Sequence, residues 1–518
     1  MRSIPRARGR GALTAALRYG FVFATLGAGA AALARGATYS MAGVSDTAVV
    51  QNLSTPTDFD WLPDGRMLIL EKVGRVRIVV DGVLQATPAL DWDSHVDSFS
   101  ERGMLGICVD PDLDTNHFVY LYYTTTTPNN RIARFTVSGN TLAAASETVI
   151  LDGIDATMGN HNGGTIRIGP DGKLWAAPGD SGTGGGKAQD LSTGRYNGKV
   201  LRMELDGSPA AGNPYLGSVT IEERIWAYGF RNPFRFAFRP NGVLFLADVG
   251  DSSHEELNAI ATPASTPAGI GGADYGWPCT EGSFGHTPPA GVSCSAPVLP
   301  PIYDYDHGVG QCIVAGVFAT SGAYPVALRN KYLVGDFSSD WIRLLDVNAS
   351  NQVTGALQNF ATGAGGPVSF RIGPDGLIYF AAYNSGRIYR INAPSSSFHT
   401  VDPCRVVDTR KPAGSYGGPA LPANASRTFR LAGQCGVVPG ARTVAVNVTV
   451  VGPGAAGDLR FYPAGGSLTS ASVINFRAGQ TRANNAVLAL NSMGDVTVRY
   501  DAAAGAVHIL VDVLGYYE

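Results

Sequence analysis

A short turn signal recurs along the first three quarters of this 518-residue chain, always in the same setting. It reads Leu62-Pro63-Asp64-Gly65, Asp110-Pro111-Asp112, Gly169-Pro170-Asp171-Gly172, Arg239-Pro240-Asn241-Gly242 and Gly373-Pro374-Asp375-Gly376, each time between two short apolar runs. Proline presets the first turn dihedral, the Asp or Asn side chain bonds back to the backbone, and glycine takes the positive φ, so each copy predicts a tight strand-turn-strand unit. A third strand often follows at a glycine and a basic residue, as in Gly74-Arg75-Val76-Arg77-Ile78, Gly198-Lys199-Val200-Leu201-Arg202 and Gly386-Arg387-Ile388-Tyr389-Arg390. A further unit without the turn runs from Lys331-Tyr332-Leu333-Val334-Gly335-Asp336 to Trp341-Ile342-Arg343-Leu344-Leu345. Six units thus fill residues 45–393. A small antiparallel sheet cannot bury both faces alone, and radial repetition solves this while leaving few open edges, so the pattern predicts a six-bladed β-propeller. Long insertions after Gly179 and from Asn258 to Gln311 place loops where a rigid β-scaffold carries its binding groups.

The composition agrees with many short strands joined by turns: 66 Gly and 31 Pro stand beside only 16% charged residues, and a hydrophobic fraction of 45% is enough for a substantial core. Residues 394–403 lack the periodicity and read as a linker. Beyond them, residues 404–518 carry alternating or apolar strands such as Thr443-Val444-Ala445-Val446-Asn447-Val448-Thr449-Val450 and Val507-His508-Ile509-Leu510-Val511-Asp512-Val513. An independent β-sandwich-like domain is expected there.

Residues 1–36 differ from everything after them. Arg2, Arg6, Arg8 and Arg10 precede a run rich in Ala, Gly, Leu and Phe, which reads as a secretory signal peptide. The apolar stretch after Arg18 spans only about 16 residues, short of the ~20 that cross a bilayer. No other segment reads as a membrane span. Removing this segment takes six Arg and no acid, leaving 33 basic against 42 acidic residues and a formal balance of −9. A mildly acidic exported protein has no evident reason to bind nucleic acid or anionic lipid. Six cysteines in an exported chain are expected to pair, and none forms a CxxC zinc motif. Spacing predicts Cys404 with Cys435, and two of Cys279, Cys294 and Cys312 together; Cys108, in the apolar run Leu105-Gly106-Ile107-Cys108-Val109, is expected to be a buried free thiol.

The richest stretch for chemistry is Gly159 to Asp180, GNHNGGTIRIGPDGKLWAAPGD. If its two strands pair about the Pro170-Asp171-Gly172 turn, His161 and Asp180 meet at the open end of a hairpin. A carboxylate there holds an imidazole in one tautomer and stabilises its protonated form, as a base acting on a hydroxyl requires. Most histidines of secreted β-proteins are loop or surface residues, and His161 must be weighed against that plainer role.

Several phrases occur together and in order: Glu101-Arg102-Gly103-Met104-Leu105-Gly106 before Asp110-Pro111-Asp112, then His161-Asn162-Gly163-Gly164, Arg231-Asn232-Pro233, Asp248-Val249-Gly250 through Glu255-Glu256-Leu257-Asn258, and Asp274-Tyr275-Gly276-Trp277-Pro278. With them, residues 45–393 resemble the soluble glucose/sorbosone dehydrogenases, six-bladed propellers that oxidise sugars with pyrroloquinoline quinone and calcium. The resemblance implies that His161 is the general base at the sugar C1 hydroxyl, that Asp180 supports it, and that Arg231 and Asn232 contact the cofactor. It implies calcium near Gly250 and Asp251, held partly by backbone carbonyls, and oxygen donors suit that ion. It also implies a sugar substrate and an external electron acceptor. The run Arg231-Asn232-Pro233-Phe234-Arg235-Phe236 further resembles the hedgehog-interacting-protein-like branch, whose members are not all established as enzymes.

The chain departs from the quinone-binding pattern at three cations. Where those members carry a lysine in the fifth unit it reads Gly335-Asp336-Phe337-Ser338-Ser339-Asp340, and where they carry two arginines before the sixth turn it reads Gly366-Pro367-Val368-Ser369. Arg371 lies close by, in a different strand register. Burying a tricarboxylate without positive partners is costly. Two functions therefore stand: an exported, periplasmic or extracellular bacterial quinone-dependent aldose dehydrogenase that forms a lactone, or a non-enzymatic propeller binding glycans or proteins. The last segment resembles a domain common at the ends of secreted bacterial proteins, through Arg405-Val406-Val407-Asp408-Thr409-Arg410, Tyr462-Pro463-Ala464-Gly465-Gly466 and Val511-Asp512-Val513-Leu514-Gly515-Tyr516. Surface or glycan attachment is the expected role. Two other signals carry no chemistry: Asp110-Pro111-Asp112-Leu113-Asp114 lacks the glycine and glutamate of a calcium loop, and Gly182-Thr183-Gly184-Gly185-Gly186 lacks the strand-to-helix setting of a nucleotide fingerprint.

Overall fold

The computed structural model describes residues 36–266, 268–294, 297–392 and 398–517. The expected export segment, apart from Gly36, lies outside them. The chain divides into two compact units, residues 1–394 and 395–518.

Beside a two-stranded ribbon of Thr280–Glu281 and Phe284–Gly285, the described residues of the first unit form six larger sheets whose leading strands are Pro56–Trp61, Met104–Val109, Thr165–Ile168, Pro233–Phe238, Ile313–Phe318 and Pro367–Ile372. Each leading strand touches the next, and the sixth touches the first, so the sheets close into a six-bladed propeller with these strands around its axis. The recurrent turn is built alike in four blades. In the first, the Leu62 N–H donates to the Arg66 carbonyl, the Gly65 N–H donates to Leu62, and Asp64 Oδ1 accepts from the Arg66 N–H, with Gly65 at φ 90°. The same three bonds recur at Gly169–Lys173, Arg239–Val243 and Gly373–Leu377.

Ring closure uses a strand that the turn pattern does not mark. Ser45–Val50 pairs antiparallel with Arg387–Asn392, so the sixth blade takes three strands from the end of the unit and one from its beginning. The seam is packed by Val50, Phe59, Ile69, Val368, Tyr379 and Ile388. Burying an aliphatic or aromatic side chain of this kind contributes roughly 1.5–3 kcal/mol, so the seam holds the ring shut without a covalent link.

A guanidinium lies on the axis. Arg235, 1% exposed, donates from Nε to the Val368 carbonyl and from Nη2 to the carbonyls of Thr57 and Leu105; its Nη1 donates to the Phe234 carbonyl. These acceptors come from the sixth, first, second and fourth blades. Nearby, the buried Asp58 pairs with Arg167 at 3.0 Å and Arg371 at 3.3 Å, and it accepts from the Ser369 hydroxyl at 2.6 Å. Burial opposes the Asp58 charge, but the three arginines hold its carboxyl far below the usual range.

The second unit is a β-sandwich. One sheet orders Phe398–Asp408, Ala506–Tyr517, Thr443–Val451 and Arg482–Ala489; the other orders Ser426–Arg430, Asp495–Ala502, Gly457–Pro463 and Ile474–Phe476. Val444, Val446, Val448 and Val450 alternate inward against Leu459, Val496, Val498 and Tyr500. The strand Phe398–Asp408 begins inside the span read as a linker, so residues 398–403 belong to the sheet. Pro403 hides this strand from a sequence reading, and it is tolerated because the strand is an edge. Cys404 is bonded to Cys435 and Cys279 to Cys294, while Cys108 and Cys312 are buried thiols.

Candidate active site

An open-mouthed cavity lies on the propeller axis at the end where the leading strands begin. It takes two lining residues from each blade or the loop entering it, the arrangement expected only of a site on the axis. Thr57, Leu105 and Val368, whose carbonyls Arg235 binds, form part of its wall, so Arg235 lies directly beneath. Phe234, Phe337 and Tyr383 supply aromatic wall, and Lys72, Glu101, Asn162 and Asn232 supply polar groups.

The hairpin of the third blade forms with the register that its turn implies, Thr165 opposite Ala177 and Ile168 opposite Leu174. It brings His161 and Asp180 together, with Nδ1 to Oδ1 at 2.7 Å. Asp180 is fully buried and also accepts from the Trp277 indole N–H at 2.9 Å and the Gly182 N–H at 2.8 Å. Burial works against its charge, but His161, the Arg231 guanidinium and Trp277 outweigh it and hold the carboxyl below its ordinary range. An ionised Asp180 makes Nδ1 the protonated nitrogen of a neutral imidazole, which leaves the lone pair on Nε2. Nε2 makes no hydrogen bond among the described residues.

Loops from the second and third blades fix this histidine. Its backbone sits at φ 53°, a left-handed conformation that costs a non-glycine residue roughly 1–2 kcal/mol, and it is held there from both sides. The His161 N–H donates to Glu101 Oε2 at 2.7 Å, and the Ser181 N–H donates to the His161 carbonyl. Gly163 and Gly179 allow the loops to meet: a Cβ on Gly163 would lie 2.1 Å from the Ala177 carbonyl oxygen, and one on Gly179 would lie 2.2 Å from that of His161. Arg102 anchors the loop before Glu101 by donating to the carbonyls of Ala156 and Thr157.

Arg231 and Asn232 stand beside this pair. Their N–H groups donate to the two oxygens of Asp248, and Asn232 Oδ1 accepts from the Gly163 N–H. Arg231 donates to the Val249 carbonyl and to Asp251, its ring neighbour is Trp277, and its buried Nε has no hydrogen-bond partner. Asn232 lines the cavity; His161 and Arg231 stand just outside it, each one residue from a lining asparagine. The Gly250–Asp251 loop is fixed by Glu281, whose Oε1 accepts from four successive N–H groups, Asp251 to His254. Glu281 Oε2 is buried without a partner, the kind of oxygen a cation would satisfy, whereas the Asp251 carboxylate is occupied by Arg231. Among the described residues no group of three or more His, Cys, Asp or Glu side chains converges as a metal site.

Lys72, Glu101 and Trp277 join the site beyond the residues expected from the sequence. Glu101 and Trp277 stand inside the ordered phrases, which carry their signal; Lys72, between two strands of the first blade, has none. Arg371 does not reach the cavity, because its guanidinium is spent on Asp58 and Asp60 along the channel.

Residues 53–390 match the family model for Glucose / Sorbosone dehydrogenase. The chain belongs to this family. Its relatives include quinoprotein glucose dehydrogenase B of Acinetobacter calcoaceticus, 28% identical over 304 residues that cover 52% of this chain and 60% of that protein. HIPL2 protein of Arabidopsis thaliana is 27% identical over 331 residues, 52% of this chain and 45% of that one. Among solved structures, the PQQ-bound form of aldose sugar dehydrogenase from Streptomyces coelicolor aligns with a TM-score of 0.54 at 25% identity, covering 67% of this chain and 98% of that one. The Glucose / Sorbosone dehydrogenase match thus spans the propeller and stops before the sandwich.

Proposed function

We propose that this member of the family is an exported, quinone-dependent dehydrogenase that oxidises the C1 hydroxyl of an aldose to a lactone. The observation that carries the reading is the His161 imidazole, oriented by buried Asp180 with Nε2 unpartnered beside an axial cavity. Nε2 takes the hydroxyl proton as the C1 hydride departs, the C1–O bond becomes a carbonyl, and Asp180 stabilises the imidazolium that results. Pyrroloquinoline quinone, when bound, supplies the two-electron acceptor for that hydride. The residues present suit such a group. Phe234, Phe337 and Tyr383 give the cavity an aromatic wall that suits a flat ring system, Asn232 and Lys72 line the same space, and the buried Arg231 Nε has no hydrogen-bond partner. Calcium would be held by backbone oxygens of the Gly250–Asp251 loop, with Glu281 Oε2 the buried oxygen there that lacks a partner. An external electron acceptor, secretion to the periplasm or outside, and surface or glycan attachment through the sandwich complete the reading. No helix among the described residues is long and apolar enough to cross a membrane.

The test is reconstitution of the purified chain with pyrroloquinoline quinone and calcium, followed by dye reduction over a panel of aldoses. Activity is expected, and His161→Ala should lower turnover about 10²- to 10⁴-fold, the contribution of a positioned base. An undiminished rate in that variant rejects the role given to His161. One observation favours a second reading, a propeller that binds glycans or proteins without catalysis: the cavity wall sets one acid, Glu101, against one base, Lys72. Absence of quinone binding at micromolar concentration would decide for it.

A further inference from the structure

Lys72 is an unusual residue to find where it stands. Lysine is rarely buried, and Lys72 is 8% exposed at the wall of the axial cavity. Its Nζ donates to the Ser98 carbonyl at 2.5 Å, and its own carbonyl accepts from the Met104 N–H, so the stem is held from both ends. The charged groups that face it are Asp97 and Glu101, both on the loop that leads into the second blade. Glu101 is committed through Oε2 to the His161 backbone, which ties the lysine's surroundings to the proposed base. The cations expected from the fifth and sixth blades are absent from the sequence, and Arg371 is engaged at Asp58 and Asp60. Lys72 is the basic side chain among the residues that line this cavity.

We propose that Lys72, from the first blade, is the cationic contact for a carboxylate of the planar anionic cofactor in the axial cavity, replacing contacts that the family takes from the fifth and sixth blades. The inference rests on the quinone reading given above. Buried Arg235 supports it from below, since its guanidinium binds the carbonyls of three lining residues and adds positive potential to the floor. An ammonium here can turn toward a ligand oxygen without leaving Ser98, because lysine offers three donors. Burial pulls the Lys72 amine down to about 8, with Asp97 and Glu101 opposing that shift. Its charge is therefore present at neutral pH and lost at moderately alkaline pH.

The experiment is equilibrium binding of pyrroloquinoline quinone to the full chain with calcium present, read by tryptophan fluorescence quenching and needing no turnover. Lys72→Met should weaken binding by about 10- to 100-fold, the range for a hydrogen bond to a charged group. Lys72→Arg should recover most of the loss, and neither variant should change the far-ultraviolet circular dichroism. Equal affinity in the wild type and Lys72→Met overturns the inference while leaving the quinone reading standing; no binding by the wild type overturns both. A second measurement needs no variant. Wild-type affinity should fall between pH 7 and pH 9.5 as the amine loses its proton, whereas the ligand carboxylates stay ionised throughout, and a flat profile over that span also overturns the inference.

Discussion

The proposed base depends on bonds that a single substitution can remove. Trp277 donates its indole N–H to Asp180 Oδ2, so Trp277→Phe keeps an aromatic side chain of smaller volume and deletes one bond to a buried carboxylate. Leaving that oxygen unsatisfied should cost about 1–3 kcal/mol of stability and lower aldose turnover through a looser imidazole. Thermal unfolding together with steady-state kinetics measures both, and an unchanged melting temperature would show that Asp180 does not rely on this donor. At this scale the sequence was half legible. The pairing of His161 with Asp180 follows from hairpin period and turn position, because in a strand pair register alone decides which residues meet at the open end. Trp277 reaches the same carboxylate from 97 residues away in sequence, and no local pattern encodes such an approach.

Among elements, the turns and strands were the readable part. Gly65, Gly172, Gly242 and Gly376 adopt positive φ where the Pro-Asp-Gly signal requires it, and the neighbouring Asp or Asn bonds back two residues on. The loop from Asp251 to His254 was not readable, since its conformation is set by Glu281, 27 to 30 residues later. Those four N–H donors stabilise the carboxylate and hold the Glu281 carboxyl down at about 2, against burial that would raise it. A carboxyl whose folded value lies below its unfolded value stabilises the protein above the unfolded value, and that contribution fades as pH falls toward the folded value. The propeller should therefore lose stability between about pH 4.5 and pH 2 through this group. Glu281→Gln should be less stable at neutral pH by about 1–3 kcal/mol and show a shallower acid loss; parallel stability curves for the two proteins over that interval would reject the assignment.

For the whole molecule, the axis is the place where the blades depend on one another. Arg235 joins the backbones of four blades, and replacing it with methionine leaves carbonyls of Thr57, Leu105 and Val368 without donors in a buried channel. Arg235→Met should destabilise the propeller by about 3–5 kcal/mol, the cost typical of breaking a buried charged network, seen as an earlier denaturant midpoint for the first unit alone. A loss below about 1 kcal/mol would mean that neighbouring groups close the channel unaided. The number of blades, their turns, the separate sandwich and the His161–Asp180 hairpin were determined by the sequence itself, because each rests on a local period or a short-range turn. Closure by Ser45–Val50, the axial Arg235 network and the cavity wall of Lys72 and Glu101 were decided by tertiary structure. The first joins the two ends of the unit, the second joins four blades through one side chain, and the third sets neighbouring blades side by side, so only the closed ring brings these residues together.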